Sequence, residues 1–500
     1  MSDHFRTSLW HGTAATTAYP PLDGDGDADV VVVGAGITGL TTALLLAESG
    51  LAVTVVEARD IACGTTGGST GKLTSQHGVI YASLRELHGD DVAEAYGRVN
   101  EAAIREVAAI CERHGIDASW TNADAYVYAQ TDGEVERLRQ EEAAATALGL
   151  PAVWSDTTEL PFDVRGALRF TGQAQLHPVA YAHELAAAVR AQDFSQVHTE
   201  TRVTDVHDEG DGVTVTTDRG RVRADHVVLA TLLPITDRGF EFARARASRS
   251  YGIAARIDGD LPEHMYLSAG EPTRSIRRHM GDGDGYLVVV GDAHEVGHDQ
   301  DTDEHFVALE SFARQNYAVR DVVYRWSAQD FFPDDRLPLI GTTVLSDRIH
   351  VATGFQKWGL TLGTAAARII AGAITGQPDA DARFFSPTRV TITASARRFL
   401  EHNLDVALRF VSDRVLPDYS SIDAIPAGGG GTIRVDGQLL AVSKDDQGRV
   451  TKRSATCTHL ACIVQWNQAE RSWDCPCHGS RFSAGGDVLE GPATAPLDHA

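Results

Sequence analysis

Gly34-Ala35-Gly36-Ile37-Thr38-Gly39 follows a β-branched run, Val30-Val31-Val32-Val33, and precedes an apolar helical pattern and a second β-branched run that ends at Glu57. Strand, glycine turn, helix and strand in that order form a βαβ unit, which commits this part of the chain to an α/β class. Each glycine has a steric task. Gly34 permits the tight turn, Gly36 lets a pyrophosphate approach the backbone, and Gly39 allows close packing of helix on strand. Ile37 and Thr38 open a helix whose positive end suits phosphate. Glu57 ends the second strand, where a carboxylate can accept both ribose hydroxyls of an adenosine. A lone glycine pattern is weak evidence, and its setting between strand, helix and terminal acid is what marks a dinucleotide site.

The 500 residues suffice for several cores. With 69 Asp and Glu against 44 Lys and Arg, the net charge of -25 repels phosphate backbones and anionic membranes, so nucleic acid is not an expected partner. The run 30–56 is apolar, but glycines, threonines, Glu48 and Ser49 interrupt it, and no membrane span is expected. Residues 1–19 have no apolar stretch behind a basic start, so a cytoplasmic location follows by default.

Residues 92–114 read as a helix with Ile104, Val107, Ala108 and Cys111 on one face, which places Cys111 in the core. Short strands are expected at 201–206, 212–217 and 221–230, extending the first domain's sheet. Residues 248–326 mix short strands with an acidic helix near 301–316, as an α+β substrate subdomain would. The sequence predicts an N-terminal extension at 1–28, an oxidoreductase unit at 29–380, a helical connector at 381–424 and a small all-β domain at 425–500. The glycines of 428–431 open the last of these, and a flexible linker there would be confined to those few residues.

Four of the six cysteines crowd between Cys457 and Cys477, which points to a local site rather than a dispersed disulfide scaffold. Cys457-Thr458-His459 and Cys475-Pro476-Cys477-His478 provide two thiolates for one iron and two imidazoles for the other, the ligation of a Rieske [2Fe–2S] cluster. Zinc is the competing occupant for such a set. The additional cysteines, Cys462 and Cys477, argue against it.

Two further segments separate FAD from NAD. Asp334-Asp335-Arg336-Leu337-Pro338-Leu339-Ile340-Gly341, a strand at 349–352, and Thr353-Gly354-Phe355-Gln356-Lys357-Trp358-Gly359-Leu360-Thr361 together resemble the C-terminal flavin-closing segment of the glycine and D-amino-acid oxidase (DAO) family. Gly64-Thr65-Thr66-Gly67-Gly68-Ser69-Thr70 is similar to that family's loop across the flavin. The likeness spans residues 29–376, and it implies a Rossmann-like FAD-binding domain. Thr65, Thr66, Ser69 and Thr70 would then lie along the flavin, Val203 would flank the adenine, and Gly354 and Trp358 would lead into a helix starting at Gly359, Leu360 and Thr361. A helix N-terminus there would stabilise negative charge on reduced flavin.

From residue 425 onward the chain resembles the Rieske proteins of respiratory and photosynthetic cytochrome complexes. That resemblance implies Cys457, His459, Cys475 and His478 as ligands and a disulfide between Cys462 and Cys477. Ser480 would donate its hydroxyl to a cluster sulfur. Phe482 stands where high-potential relatives have tyrosine, so the expected potential is intermediate within about −150 to +300 mV.

Together these features predict an FAD-dependent oxidoreductase acting on a C–N bond of an amine or amino-acid-like substrate. Electrons would pass singly to the cluster and then to an external acceptor, whether ferredoxin, quinone or O2. The alternative is a non-catalytic redox sensor. A Rieske oxygenase would need a two-histidine, one-carboxylate iron site, which cannot be placed from the sequence. Lys72, His77, Trp326 and Lys357 are weak candidates for the catalytic cavity, with packing the favoured role for Trp326. Cys63 precedes the flavin loop in a setting unlike known covalent attachments, so noncovalent FAD is expected.

Overall fold

Gly34 adopts φ +105, and a Cβ there would meet the Ala230 carbonyl oxygen at 2.6 Å. At Gly39 a Cβ would lie 1.9 Å from the Gly34 oxygen. These two close approaches let strand β1 (Gly26–Val33) turn into helix α1 (Ile37–Glu48) and continue to β2 (Val53–Val56). The computed structural model describes residues 7–236, 239, 241–281, 283–299, 301–389 and 416–500.

β1 pairs in parallel with β2 on one side and with β3 (Arg221–Leu229) on the other. Strands Val203–Asp208 and Val213–Thr217 join antiparallel beyond β3, as the expected extension of this sheet. A second eight-stranded sheet roofs the first domain. Residues 248–326 were expected to hold short strands. The structure has two short strands there, Met265–Ser268 and Arg274–His279, alongside the long strands β4 (Ala245–Asp258), β5 (Tyr286–Glu295) and, beyond helix α2 (Asp303–Asn316), β6 (Ala318–Pro333). β4 pairs with β6 along almost its whole length. Alternation in this region is masked because polar residues such as Arg249 and Gln329 are fully buried. β7 (Ser346–Thr353) returns to the first sheet beside β3, and helix α3 (Gly359–Ile374) packs against α1.

Residues 1–28, expected as an extension, are partly built into the core. Leu9 and Trp10 are fully buried, and Trp10 Nε1 donates to the Ser69 carbonyl at 2.6 Å. Cys111 is only partly buried, packed against the core from the rim of its helix. The helix expected in the connector falls mainly on residues 390–415, outside the described residues.

The C-terminal region has a three-stranded sheet, Gly430–Val435, Gln438–Lys444 and Val450–Ser454, and a four-stranded sheet from Gln465–Asn467 to Val488–Glu490. Tyr419 already bridges Ile433, so this fold gathers residues upstream of 425. Gly430 and Gly431 lie within the first strand, where a Cβ at Gly430 would meet the Trp466 ring at 2.5 Å.

Candidate functional site

A cavity of about 690 Å³ starts at the glycine turn and ends against the C-terminal domain. Gly34, Gly36, Ile37, Thr38, Glu57 and Val203 line its first part. Glu57 accepts the Ala35 N–H through one oxygen and the Arg59 N–H through the other, each at 2.9 Å, and retains lone pairs for further donors. Thr66 Oγ1 accepts the Ile37 N–H at 3.1 Å, and a Cβ on Gly36 would meet that same oxygen at 3.0 Å. The loop carrying Thr65, Thr66, Ser69 and Thr70 is pinned on three sides. Thr65 donates to the Gln329 carbonyl at 2.7 Å, Ser69 Oγ accepts the Gly71 N–H at 3.0 Å, and the Thr70 carbonyl accepts Arg277 at 2.8 Å.

Trp358, Gly359 and Leu360 line the cavity where α3 begins, and no side chain caps that helix end. Gly39, Gly354 and Thr361 do not line it. Gly39 serves helix packing, Gly354 takes φ +77 under Pro333, and Thr361 hydrogen-bonds His77 at 3.1 Å. Cys63 lines the cavity, but burial and the Glu57 charge push its thiol up to about 12, so it stays protonated.

Among the four weak candidates, the structure separates one from the rest. Trp326 does not reach the cavity; it donates to the Gly68 carbonyl at 3.0 Å and packs its ring over Gly252. His77 lines the wall, stacked on Trp358 with centroids 4.6 Å apart. Its Nε2 faces the Thr74 carbonyl at 2.8 Å and so carries the proton, leaving Nδ1 to accept from Tyr96 Oη at 2.6 Å. Burial pulls His77 down to about 3, which keeps it neutral and makes it a poor base. Lys72 is buried beside Arg277 and donates to the Tyr266 carbonyl at 2.7 Å; burial lowers it well below the usual lysine range.

Lys357 is the better placed cation. Its ammonium donates to Ser250 Oγ at 2.6 Å, its own N–H donates to Asp330 at 2.6 Å, and burial pulls it down to about 8. Gln356 and Lys357 both take left-handed backbone, at φ 53 and 74, so the Asp330 carboxylate fixes a turn that glycine would adopt more easily. Burial lifts Asp330 to about 6 despite two N–H donors.

In the C-terminal domain, Cys457 and His459 lie on one loop and Cys475 and His478 on a second. The Cys462–Cys477 disulfide joins the loops, with Cα atoms 6.5 Å apart, leaving Cys457 and Cys475 as buried free thiols in hydrogen-bond contact. The His459 and His478 rings are 5.1 Å apart at 89°, and both pack edge-on to Phe242 of the first domain. The two thiols are in contact with each other, the two imidazoles are in contact with each other, and all four stand on the two disulfide-linked loops, so the donor set fits a [2Fe–2S] cluster. Ser480 Oγ accepts the Ala493 N–H at 3.1 Å and also bonds to Cys457.

The interface between domains escaped sequence reasoning. Gln329 Nε2 donates to the Gly479 carbonyl at 2.8 Å, Arg202 donates to the Val488 carbonyl at 3.0 Å, and fully buried Arg249 meets Glu490 at 3.3 Å. Burial pushes Asp474 up, but Arg481 and Arg249 outweigh it and hold the carboxyl below its usual range. Glu490, Gly491 and Ala493 also line the cavity, so the cluster domain forms part of its wall. The side chains involved come from unrelated segments, and no local pattern announces them.

A family model for FAD dependent oxidoreductase (DAO) matches residues 29–373, and one for the Rieske [2Fe-2S] domain matches residues 419–500. The chain is 31% identical over 492 residues to YhfW of Bacillus subtilis (strain 168), which carries the name of a Rieske 2Fe-2S iron-sulfur protein; the match covers 98% of this chain and 96% of that one. It is 25% identical over 398 residues to the gamma-glutamylputrescine oxidoreductase of Escherichia coli (strain K12), covering 76% and 91% of the two chains. Glycine oxidase from Geobacillus kaustophilus superposes with a TM-score of 0.61 at 20% identity, over 73% of this chain and 99% of that one. No helix among the described residues is long and apolar enough to cross a membrane. The chain belongs to the DAO family of FAD-dependent oxidoreductases and carries a C-terminal Rieske [2Fe–2S] domain.

Proposed function

We propose that this oxidoreductase oxidises the C–N bond of an amine or amino-acid-like substrate and delivers the electrons, through its own Rieske domain, to an external acceptor. The observation that carries the reading is a shared strand segment. Ala328, Gln329 and Asp330 line the cavity, and Gln329 also holds the carbonyl of Gly479, the residue after His478. The relatives named for oxidation of amino acids and of gamma-glutamylputrescine support the C–N assignment.

In this reading Gly34, Gly36, Ile37 and Thr38 hold the FAD pyrophosphate, Glu57 the ribose, Val203 the adenine side, and the loop of Thr65, Thr66, Ser69 and Thr70 with Gly359 and Leu360 the flavin. Cys457, Cys475, His459 and His478 hold the cluster. Bound FAD supplies a two-electron oxidant and the cluster a one-electron carrier. Lys357, presented by Asp330, binds the carboxylate of an amino-acid-like substrate through its ammonium. His77 keeps Trp358 in place as a neutral stacking partner and accepts no proton from substrate. Ser248, Ser250 and Ser275 line the remaining wall and orient the amine by hydrogen bonding.

Anaerobic mixing with a panel of amines and amino acids tests the proposal. Substrate-specific bleaching of the flavin absorbance is expected. A protein that bleaches with dithionite and with no amine would be a redox sensor instead.

A further inference from the structure

Away from the cavity, at the end of β5, His294, Asp299 and His305 bring one donor atom each to within 4.8 Å of one another. Two imidazoles and a carboxylate form a mixed N,O set suited to divalent first-row transition ions. All three residues are partly buried.

The histidines are oriented from behind. His294 Nδ1 lies 2.9 Å from the Glu295 carbonyl, which only accepts, so that nitrogen carries the proton and Nε2 presents its lone pair. That Nε2 is now met by Tyr251 Oη at 3.0 Å. His305 Nδ1 lies 3.6 Å from Asp292, beyond hydrogen-bond distance, and its Nε2 lies 3.0 Å from Asp299 without hydrogen-bond geometry. A ring nitrogen held by a backbone carbonyl, as at His294, fixes the tautomer and leaves the opposite nitrogen able to ligate. Asp292 is anchored in turn by Arg274 at 3.2 Å. The two imidazole rings lie parallel, 4.8 Å apart. An ion with bonds of about 2.0–2.2 Å would draw the donors to roughly 3.4 Å, which requires the His294 and His305 rings to turn out of their stacked arrangement.

We propose that His294, Asp299 and His305 bind a divalent transition-metal ion of the zinc or ferrous class, in a site separate from the flavin cavity and the Rieske cluster. Its position gives it a structural consequence. Gly297, at φ +72, packs on Pro476 between two cysteines of the cluster loops, where a Cβ would approach the proline ring at 2.8 Å. Thr302 donates to Asn467 at 2.9 Å and accepts the Ala469 N–H at 2.9 Å. The ion would therefore fasten the loop that clamps the cluster domain.

The test is calorimetric titration of the holoprotein with zinc chloride, after brief dialysis against EDTA and desalting, with iron and sulfide measured before and after. One saturable zinc site per chain is expected, with the cluster iron retained. Asp299→Asn, which preserves the loop's shape, and His305→Gln should each weaken binding by at least about tenfold. Flavin absorbance and the reduced cluster's electron paramagnetic resonance should be unchanged in both variants. His499→Ala, at an exposed histidine, should bind zinc as the parent does. Absence of saturable binding, binding indifferent to both Asp299→Asn and His305→Gln, or zinc uptake matched by iron loss would overturn the proposal.

Discussion

Gln329 and Gly479, 150 residues apart in sequence, are joined by a 2.8 Å hydrogen bond from the Gln329 side-chain amide to the Gly479 carbonyl, and both groups are buried. The bond spans the two domains at the residue that follows His478. Gln329→Leu removes the donor and leaves the carbonyl unpaired, a loss of about 1–3 kcal/mol at the interface. Bleaching of the flavin by substrate should proceed at the parent rate, while reduction of the cluster slows about five- to tenfold, as stopped-flow absorbance at two wavelengths would record. Equal slowing of both phases would place Gln329 in substrate chemistry instead.

Arg249 is a fully buried cation whose nearest carboxylate partners, Glu490 and Asp474, belong to the other domain. Arg249→Ala should cost about 3–5 kcal/mol, because it strips buried carboxylates of a countercharge. Earlier cleavage between the domains by protease and a lower unfolding temperature are the expected readouts. Arg249→Lys keeps the charge but loses the planar fork, and should recover part of that loss.

The dinucleotide turn was legible because its glycines act locally: φ at Gly34 and contact distance at Gly39 depend on residues within one βαβ unit. The Rieske domain and its Cys462–Cys477 disulfide were legible for the same reason, since the cysteines and histidines crowd onto two short loops. Gln329, Arg249 and Phe242 were not, because their partners lie far along the chain and each reads as an ordinary strand or turn residue. Trp10 was hidden in a segment with no flanking pattern, although it is fully buried. The glycines at 430 and 431 look like linker but are strand residues, kept small by Trp466 and Tyr419.

Gly36→Val would fill the space beside Thr66, in the proposed pyrophosphate cradle. Purified protein should lose its FAD while keeping iron and acid-labile sulfide at parental levels, because the cluster domain contributes no residue to that turn. In the parent, acid precipitation should release all yellow colour into the supernatant, the outcome expected for noncovalent FAD.

Lys357 supplies a pH test of substrate binding. Its ammonium titrates at about 8, so the KM for a carboxylate-bearing substrate should rise above that pH while that for a simple amine does not share the rise. Lys357→Met should abolish the difference. For stability, the folded value lies below the usual lysine 10.5, so the unfolded chain binds more protons between about 8 and 10.5, and Lys357 makes folding more favourable as pH rises through that window.

Acid should act in the opposite region. Burial holds His77, His279 and His350 near about 3 and His177 near about 4, all below the ordinary 6.5. The unfolded chain therefore binds more protons below pH 6.5, and stability should fall steeply from pH 7 to 5 in urea unfolding. Asp330, raised to about 6, and Glu141, also raised by burial, oppose this in part. A flat profile over that range would contradict the four buried neutral rings.

Rapid-freeze paramagnetic resonance during a single anaerobic turnover tests most directly that substrate electrons leave through the chain's own cluster. The account predicts that the reduced Rieske signal grows in after the flavin bleaches, within one molecule and independently of protein concentration. Full bleaching by substrate with a cluster that stays oxidised would contradict it.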